Sequence, residues 1–149
     1  MAKIRTLRLC PLFRRLGYKD LAILAPHVQE EAVKKDHWIA EEGSPTDGLI
    51  IIKKGKVRLS LGNLAAAQID LGPAEFFGEL SLVEGSQIRA VNAKALEPTE
   101  YLKIQLTDYQ QLIDQAPEVA TRISIGILQA LKEKMELTKD LLSELVQVA

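Results

Sequence analysis

Gly48-Leu49-Ile50-Ile51-Ile52-Lys53-Lys54-Gly55-Lys56-Val57-Arg58-Leu59-Ser60-Leu61-Gly62 decides the fold class. Its second arm alternates Val57, Leu59 and Leu61 with Arg58 and Ser60, the two-residue period of a strand with one face buried. The first arm is apolar from Leu49 to Ile52, so that strand is expected to be covered on both faces. Between them lies Lys53 to Lys56, with Gly55 free to take positive φ, and the arms are expected to pair as a β-hairpin.

The surrounding chain keeps this character. Gly43, Gly48, Gly55, Gly62, Gly72, Gly78 and Gly85 recur at spacings of 5, 7, 7, 10, 6 and 7. Short strands between regular turn signals indicate a sandwich or barrel over residues 31–105. A second hairpin is expected from Arg89–Ala95 and Thr99–Ile104, joined across Leu96-Glu97-Pro98. Residues 1–30 read as short helices: Pro11 opens one, Leu21, Leu24, Ala25 and Val28 form a stripe, and Pro26 breaks it.

Residues 106–149 return to helix. Leu106–Asp114 forms one, ending before Pro117, which suits the first turn of the next. From there Leu128, Leu131, Met135, Thr138, Leu142 and Leu145 are spaced 3, 4, 3, 4, 3, a seam that wants a partner. A helix of about 30 residues is roughly 45 Å long, more than a globule of this size covers. A helix–helix dimer contact is therefore expected for its second half.

Composition narrows the function classes. The chain has 149 residues, 47% of them hydrophobic, which suits one domain with its own core. Lys and Arg total 19 against 20 Asp and Glu, a net charge of −1 that argues against direct nucleic-acid or polybasic membrane binding. The charge is uneven: Lys3, Arg5, Arg8, Arg14, Arg15 and Lys19 stand in the first nineteen residues without an acid. They are expected to form a solvated face, with Leu7, Leu9, Leu12, Phe13 and Leu16 turned inward. One cysteine, Cys10, excludes a disulfide framework and a four-cysteine metal site. Cys10 is expected to be a core residue, Trp38 a packing residue, and His27 and His37 plain histidines rather than metal ligands. No apolar run in the β zone approaches the ~18 residues of a membrane span, and the N-terminus has no secretory pattern. A soluble, cytoplasmic protein is the default expectation.

Chemistry concentrates in Phe76-Phe77-Gly78-Glu79-Leu80-Ser81-Leu82-Val83-Glu84-Gly85-Ser86-Gln87-Ile88-Arg89-Ala90. Gly78 lets the backbone approach a ligand closely. Glu79-Leu80-Ser81-Leu82 can form one helical turn whose free N–H groups would face an anion. A turn at Gly85-Ser86 could fold Arg89 back beside it, and a guanidinium fork with backbone donors cradles a phosphate. Glu79 would repel that phosphate, but it suits the hydroxyls of an attached sugar. Phosphate, sugar and an apolar wall together indicate a nucleotide.

These residues resemble the cyclic nucleotide-binding domain of the bacterial catabolite-activator type, shared with cyclic-nucleotide-regulated kinases and channels. The resemblance covers nearly the whole chain. Pro11-Leu12-Phe13 with Leu16 is similar to the family's first helical segment, and Glu42 to Val57 to its central hairpin region. Residues 77–90 resemble its phosphate-binding cassette. The implied fold is mainly β with flanking helices: a jelly-roll-like β-roll, or double-stranded β-helix, with short N-terminal helices and a long C-terminal helix. Residues 1–149 would form one domain enclosing one cyclic nucleotide.

By the same resemblance Arg89 would bind the cyclic phosphate and Glu79 the ribose 2′-hydroxyl. Gly78 would let the backbone come close, the amides of Ser81 and Ala90 would complete the cradle, and Leu80 would help to wall the sugar and base. A gap-free count from Pro117 puts Lys134 and Met135 near the base as a lid. Ala90 stands where many members carry Ser or Thr, as in cAMP-regulated kinases, which favours cAMP over cGMP. The chain stops at Ala149, so the helix-turn-helix of the family's transcription factors is not expected.

Three functions compete. A binding module would sense the nucleotide and signal through the long helix, to a second copy or another protein. An enzyme on a similar roll, as in cupins, would need clustered His and carboxylate ligands, and the chain has two His and no nucleophile, metal or phosphate-loop motif. No enzyme activity, metal or cofactor is therefore expected beyond the ligand itself. A ligand-free roll serving as a dimerisation or interaction scaffold is the third possibility; in that case Glu79 and Arg89 would be a plain ion pair.

Overall fold

Residues 2–45, 48–61, 68–82, 89 and 91–148 are described by a computed structural model of the chain. Helix α1 (Ala2–Leu9), a 3-10 turn (Pro11–Phe13), α2 (Tyr18–Leu24) and a second 3-10 turn (Ala25–His27) precede the strands. The strands are β1 (Gln29–Val33), β2 (Trp38–Ala40), β3 (Leu49–Lys54), β4 (Val57–Ser60), β5 (Gln68–Leu71), β6 (Phe76–Phe77), β7 (Asn92–Ala95) and β8 (Thr99–Ile104). A 3-10 turn (Glu79–Leu82) follows β6, and α3 (Leu106–Gln115) and α4 (Pro117–Val148) close the chain.

The strands make two antiparallel four-stranded sheets, ordered β1-β8-β3-β6 and β2-β7-β4-β5. Both expected hairpins are overturned. β3 pairs with β8 and β6, whereas β4 pairs with β7 and β5, so the arms of Leu49–Leu61 lie in different sheets. Likewise β7 and β8 part company across Leu96-Glu97-Pro98. The two crossing points lie side by side, joined by Leu96 N–H donating to Lys56 O at 2.8 Å.

The two-sided burial of β3 explains the crossing. Ile50 and Ile52 join Ala40, Val57, Leu71, Phe77, Ala93 and Tyr101 between the sheets. Leu49 and Ile51 instead join Leu102 and Ile104 and the helical side chains in a second core. A chain that turns β4 over the face of β3, rather than along its edge, covers one side of it. The helices cover the other. Each large side chain fully buried this way contributes ~1.5–3 kcal/mol relative to exposure.

The helical layer is built by short segments. Leu7, Leu12, Phe13, Leu16, Leu21 and Leu24 are buried, but Leu9, expected inward, is 66% exposed on the last turn of α1. Part of the basic run is structural: Lys3 Nζ donates to Val28 O at 2.8 Å and Ala25 O at 3.1 Å, and Arg8 donates to Tyr18 Oη at 2.9 Å. Cys10 lies in this core, where burial pushes its thiol up to about 12 and keeps it protonated and unreactive at neutral pH.

Helix α4 has two halves. Val119, Ala120, Ile123 and Ile127 are buried in the helical core, and Tyr109 of α3 donates its hydroxyl to Ala120 O at 3.0 Å. Gly126 crosses the Pro11–Phe13 turn so closely that a Cβ there would lie 2.9 Å from the Leu12 carbonyl carbon. From Lys132 to Val146 every residue is exposed. Leu128, Met135, Leu142 and Leu145, four of the six seam positions, are 57–66% exposed. That half of the seam lies clear of the β-roll. No helix among the described residues is long and apolar enough to cross a membrane.

Candidate functional site

Arg89 is placed by backbone first. Its N–H donates to Ser44 O at 2.7 Å, and its carbonyl accepts from Gly43 N–H at 3.0 Å. The side chain then runs inward and is 5% exposed. Nη2 donates to Gly48 O at 2.9 Å, and the guanidinium carbon stands 5.4 Å from the centre of the Phe77 ring. A cation laid on an aromatic face and a carbonyl is held electrostatically and sterically in one orientation.

Gly78 makes room for it. Its φ is +82°, and a Cβ there would collide with the Arg89 guanidinium and come within 2.8 Å of Gly48 O. Immediately after it, Glu79–Leu82 forms the single helical turn expected from sequence, as a 3-10 turn. Ser81 N–H donates back to Gly78 O at 3.1 Å, and its hydroxyl donates to the same oxygen at 2.5 Å. Both Ser81 donors are thus used inside the turn, where the sequence had its amide facing a phosphate. Leu80, expected against the sugar, is 44% exposed. Ala90 lies outside the described residues.

Glu79 is buried and is held by a partner from the last helix. Lys134 of α4 donates Nζ to its Oε1 at 2.5 Å. Its charge also adds to the upward shift of the Cys10 thiol, behind the larger effect of burial. Arg89 instead lies against Phe77, a member of the core between the sheets. Among the contacts described, Glu79 pairs with Lys134, and Arg89 meets Gly48 O and the Phe77 ring. Lys134 therefore meets the site at Glu79. Met135, its neighbour, lies with Leu128, Leu131 and Lys139 in a shallow apolar groove along α4 and does not join it.

Beside Arg89 a cavity of about 300 Å³ opens, lined also by Trp38, Ile39, Ala40, Glu41, Ser44 and Pro45. That is the lower end of the ~300–1,000 Å³ typical of ligand pockets. Trp38 is 48% exposed rather than packed inward, with Lys94 Nζ 5.4 Å from its ring centre. No group of three or more His, Cys, Asp or Glu among the described residues could hold a metal ion. Two parts of the site carried no sequence signal: the Gly48 carbonyl that orients Arg89, and the tie between Glu79 and α4. Both depend on chain segments brought together from 41 and 55 residues away.

Comparison with known proteins agrees with this architecture. The family model for the cyclic nucleotide-binding domain matches residues 30–116. A cyclic AMP receptor protein of Thermus thermophilus is 33% identical over 136 residues, covering 89% of this chain and 62% of its own length. A cyclic nucleotide-gated potassium channel of Mesorhizobium japonicum is 29% identical over 110 residues, covering 74% of this chain and 30% of its own. The chain thus spans less than two thirds of either curated relative. Among solved structures, the N-terminal domain of a transcriptional regulator from Streptomyces coelicolor superposes with a TM-score of 0.76 at 28% identity, covering 89% of this chain and 93% of that one.

Proposed function

The chain belongs to the cyclic nucleotide-binding domain family, and from that membership we propose that it is a sensor of a cyclic purine mononucleotide, cAMP in preference to cGMP, that reports occupancy through α4. The observation that carries this is Arg89. A guanidinium 5% exposed in a cavity wall, its orientation set by a carbonyl and a ring, is a preformed receptor for a phosphate monoanion. The preference for cAMP rests on Ala90 and on the likeness to a cyclic AMP receptor protein.

The output is a change at the exposed half of α4. Its apolar positions suit a second copy of the chain, or another protein helix. A ligand shifts that contact only by its differential affinity for two helix positions. The role is that of a binding module rather than an enzyme; with two histidines in the chain, a metal-centred reaction on the roll is poorly supplied.

One feature favours the alternative, a ligand-free scaffold: Ser81 and Glu79 are both engaged within the protein. Thermal melting with cAMP, with cGMP and with neither separates the two. A ligand at ~100 times its Kd stabilises the native state by ~2.7 kcal/mol, which raises Tm by roughly 2–4 °C per kcal/mol for a domain of this size. No shift with either nucleotide at millimolar concentration rejects the sensor and leaves the scaffold.

A further inference from the structure

The net charge of −1 is the sum of +6 in the first nineteen residues and −7 in the rest, and four of the seven arginines stand in that opening stretch. One of its six cations has an internal task, since Lys3 is spent on the carbonyls of Ala25 and Val28. Arg5, Arg8, Arg14, Arg15 and Lys19 are all exposed, and among the described residues none of them pairs with an acid. The first acid in the chain, Asp20, is already taken: it accepts from Gly17 N–H at 3.2 Å and from Arg122 Nη1 at 2.8 Å. Helical spacing puts Arg5, Arg8 and Leu9 on one face of α1. Arg8 then lies over the Tyr18 ring, 5.0 Å from its centre, and carries that face across to the start of α2. Leu9 and Tyr18 are both 66% exposed. The result is an apolar pair among cations that no acid neutralises.

We propose that this face docks an acidic segment of another protein, one whose carboxylates flank an apolar side chain. Charge complementarity names the occupant. A guanidinium fork meets a carboxylate through two parallel hydrogen bonds, and arginine is the cation concentrated here. Leu9 and the Tyr18 ring offer apolar contact, and the cations beside them steer the approach and fix the register. A short segment fits better than an extended polyanion. The −7 carried by the rest of the chain repels a membrane sheet or a nucleic acid that reaches past the patch, and two apolar side chains are too few to anchor in lipid. None of Arg5, Arg8, Leu9 and Tyr18 lines the cavity beside Arg89, so docking here is separate from occupancy of that cavity.

Fluorescence anisotropy of labelled peptides with the full chain tests this. The probe is a short peptide alternating Glu with Leu, and its counterpart has Gln in place of every Glu. The Glu–Leu peptide is expected to bind, less tightly as salt rises, and the Gln–Leu peptide to bind at least about tenfold more weakly. Arg5→Gln combined with Arg8→Gln lowers the affinity for the Glu–Leu peptide by about tenfold, the size of two exposed ion pairs. Arg15→Gln combined with Lys19→Gln breaks no described contact and lowers it in the same direction, which separates lost charge from a loosened Arg8–Tyr18 tie. Leu9→Ser weakens the part of the binding that survives high salt. Equal binding of the two peptides overturns the proposal, as does no binding of either, or a loss of the same size in Arg58→Gln on the second sheet. Tighter binding of phosphatidylglycerol vesicles or of a DNA duplex than of the Glu–Leu peptide overturns the choice of partner.

Discussion

The guanidinium of Arg89 stands where a side chain on residue 78 would have to be. Gly78 holds φ at +82°, and a Cβ added there would meet Arg89 and lie 2.8 Å from the Gly48 carbonyl that orients it. The glycine and the arginine are thus one device, although eleven positions separate them.

Gly78→Ala is accordingly expected to destabilise the fold by ~1–3 kcal/mol through left-handed backbone strain alone, with displacement of Arg89 in addition. Chemical denaturation measures the first. Loss of the cAMP-induced Tm shift measures the second. A variant of native stability that still binds would contradict the placement.

Removing the arginine has two separable effects. Arg89→Ala leaves the buried Gly48 carbonyl short of a donor, which costs ~1–3 kcal/mol, and it abolishes the nucleotide-induced shift. Arg89→Lys restores a charge without the planar fork, so cAMP affinity is expected to recover only in part and stay at least about tenfold below that of the parent protein. Full recovery would mean that charge, and not geometry, makes the phosphate site.

At Gly126 the usual helix rule is expected to reverse. Gly to Ala inside a helix normally gains ~1 kcal/mol. Here a Cβ would press on the Leu12 backbone, with its carbonyl carbon at 2.9 Å. Gly126→Ala should lower the urea midpoint. A raised midpoint would show that α4 can lift off the Pro11–Phe13 turn without penalty.

The exposed seam gives a prediction about assembly. Sedimentation should find a dimer at micromolar concentration, and Met135→Glu combined with Leu142→Glu should yield a folded monomer, because both positions are about 60% exposed on α4 and neither supports the core. A parent protein that is monomeric at high micromolar concentration refutes the dimer.

A surface pair tests the electrostatics of the second sheet. Arg58 donates Nε to Asp70 Oδ1 at 2.8 Å and Nη2 to Oδ2 at 3.1 Å. These side-chain hydrogen bonds, with the nearby positive charge adding to them, hold the Asp70 carboxyl below the usual carboxylate range. Because the ionised form is favoured in the folded state, its contribution is complete above the unfolded value of ~3.9 and is lost as pH falls through the lower folded value. Carboxyl NMR should place the Asp70 midpoint below ~3.9 and move it back up in Arg58→Gln.

Burial patterns were legible along the chain, and strand partners were not. Leu49 to Ile52 announced a strand covered on both faces, and all four are buried. Val57-Arg58-Leu59-Ser60 announced one buried face, and Val57 is fully covered with Arg58 exposed. Alternation reports which way a side chain points, but it is silent about the neighbouring strand, so adjacency in sequence stood in for adjacency in space. The same limit applied at the site. Gly78 and Arg89 carried strong local signals, as did the helical turn between them and Glu79. The partner of the Glu79 carboxylate depended on where α4 passes, which no local pattern encodes. Lys134 was placed near the site by counting along a helix, and counting cannot distinguish a base contact from an ion pair with Glu79.

The pairing of β1 with β8, Gln29 opposite Lys103, has a consequence for biosynthesis. During translation the first strand emerges long before β8, its sheet neighbour among the described residues, and β3 too waits for β8 on that edge. The first sheet therefore cannot be completed until β8, which ends at Ile104 of 149 residues, has left the ribosome, and Leu49 and Ile51 lack Leu102 and Ile104 meanwhile. Non-local strand pairing of this kind is slow and exposes apolar segments to aggregation. A chaperone that shields Leu49 and Ile51 should raise the yield of native protein more than one acting on the finished chain.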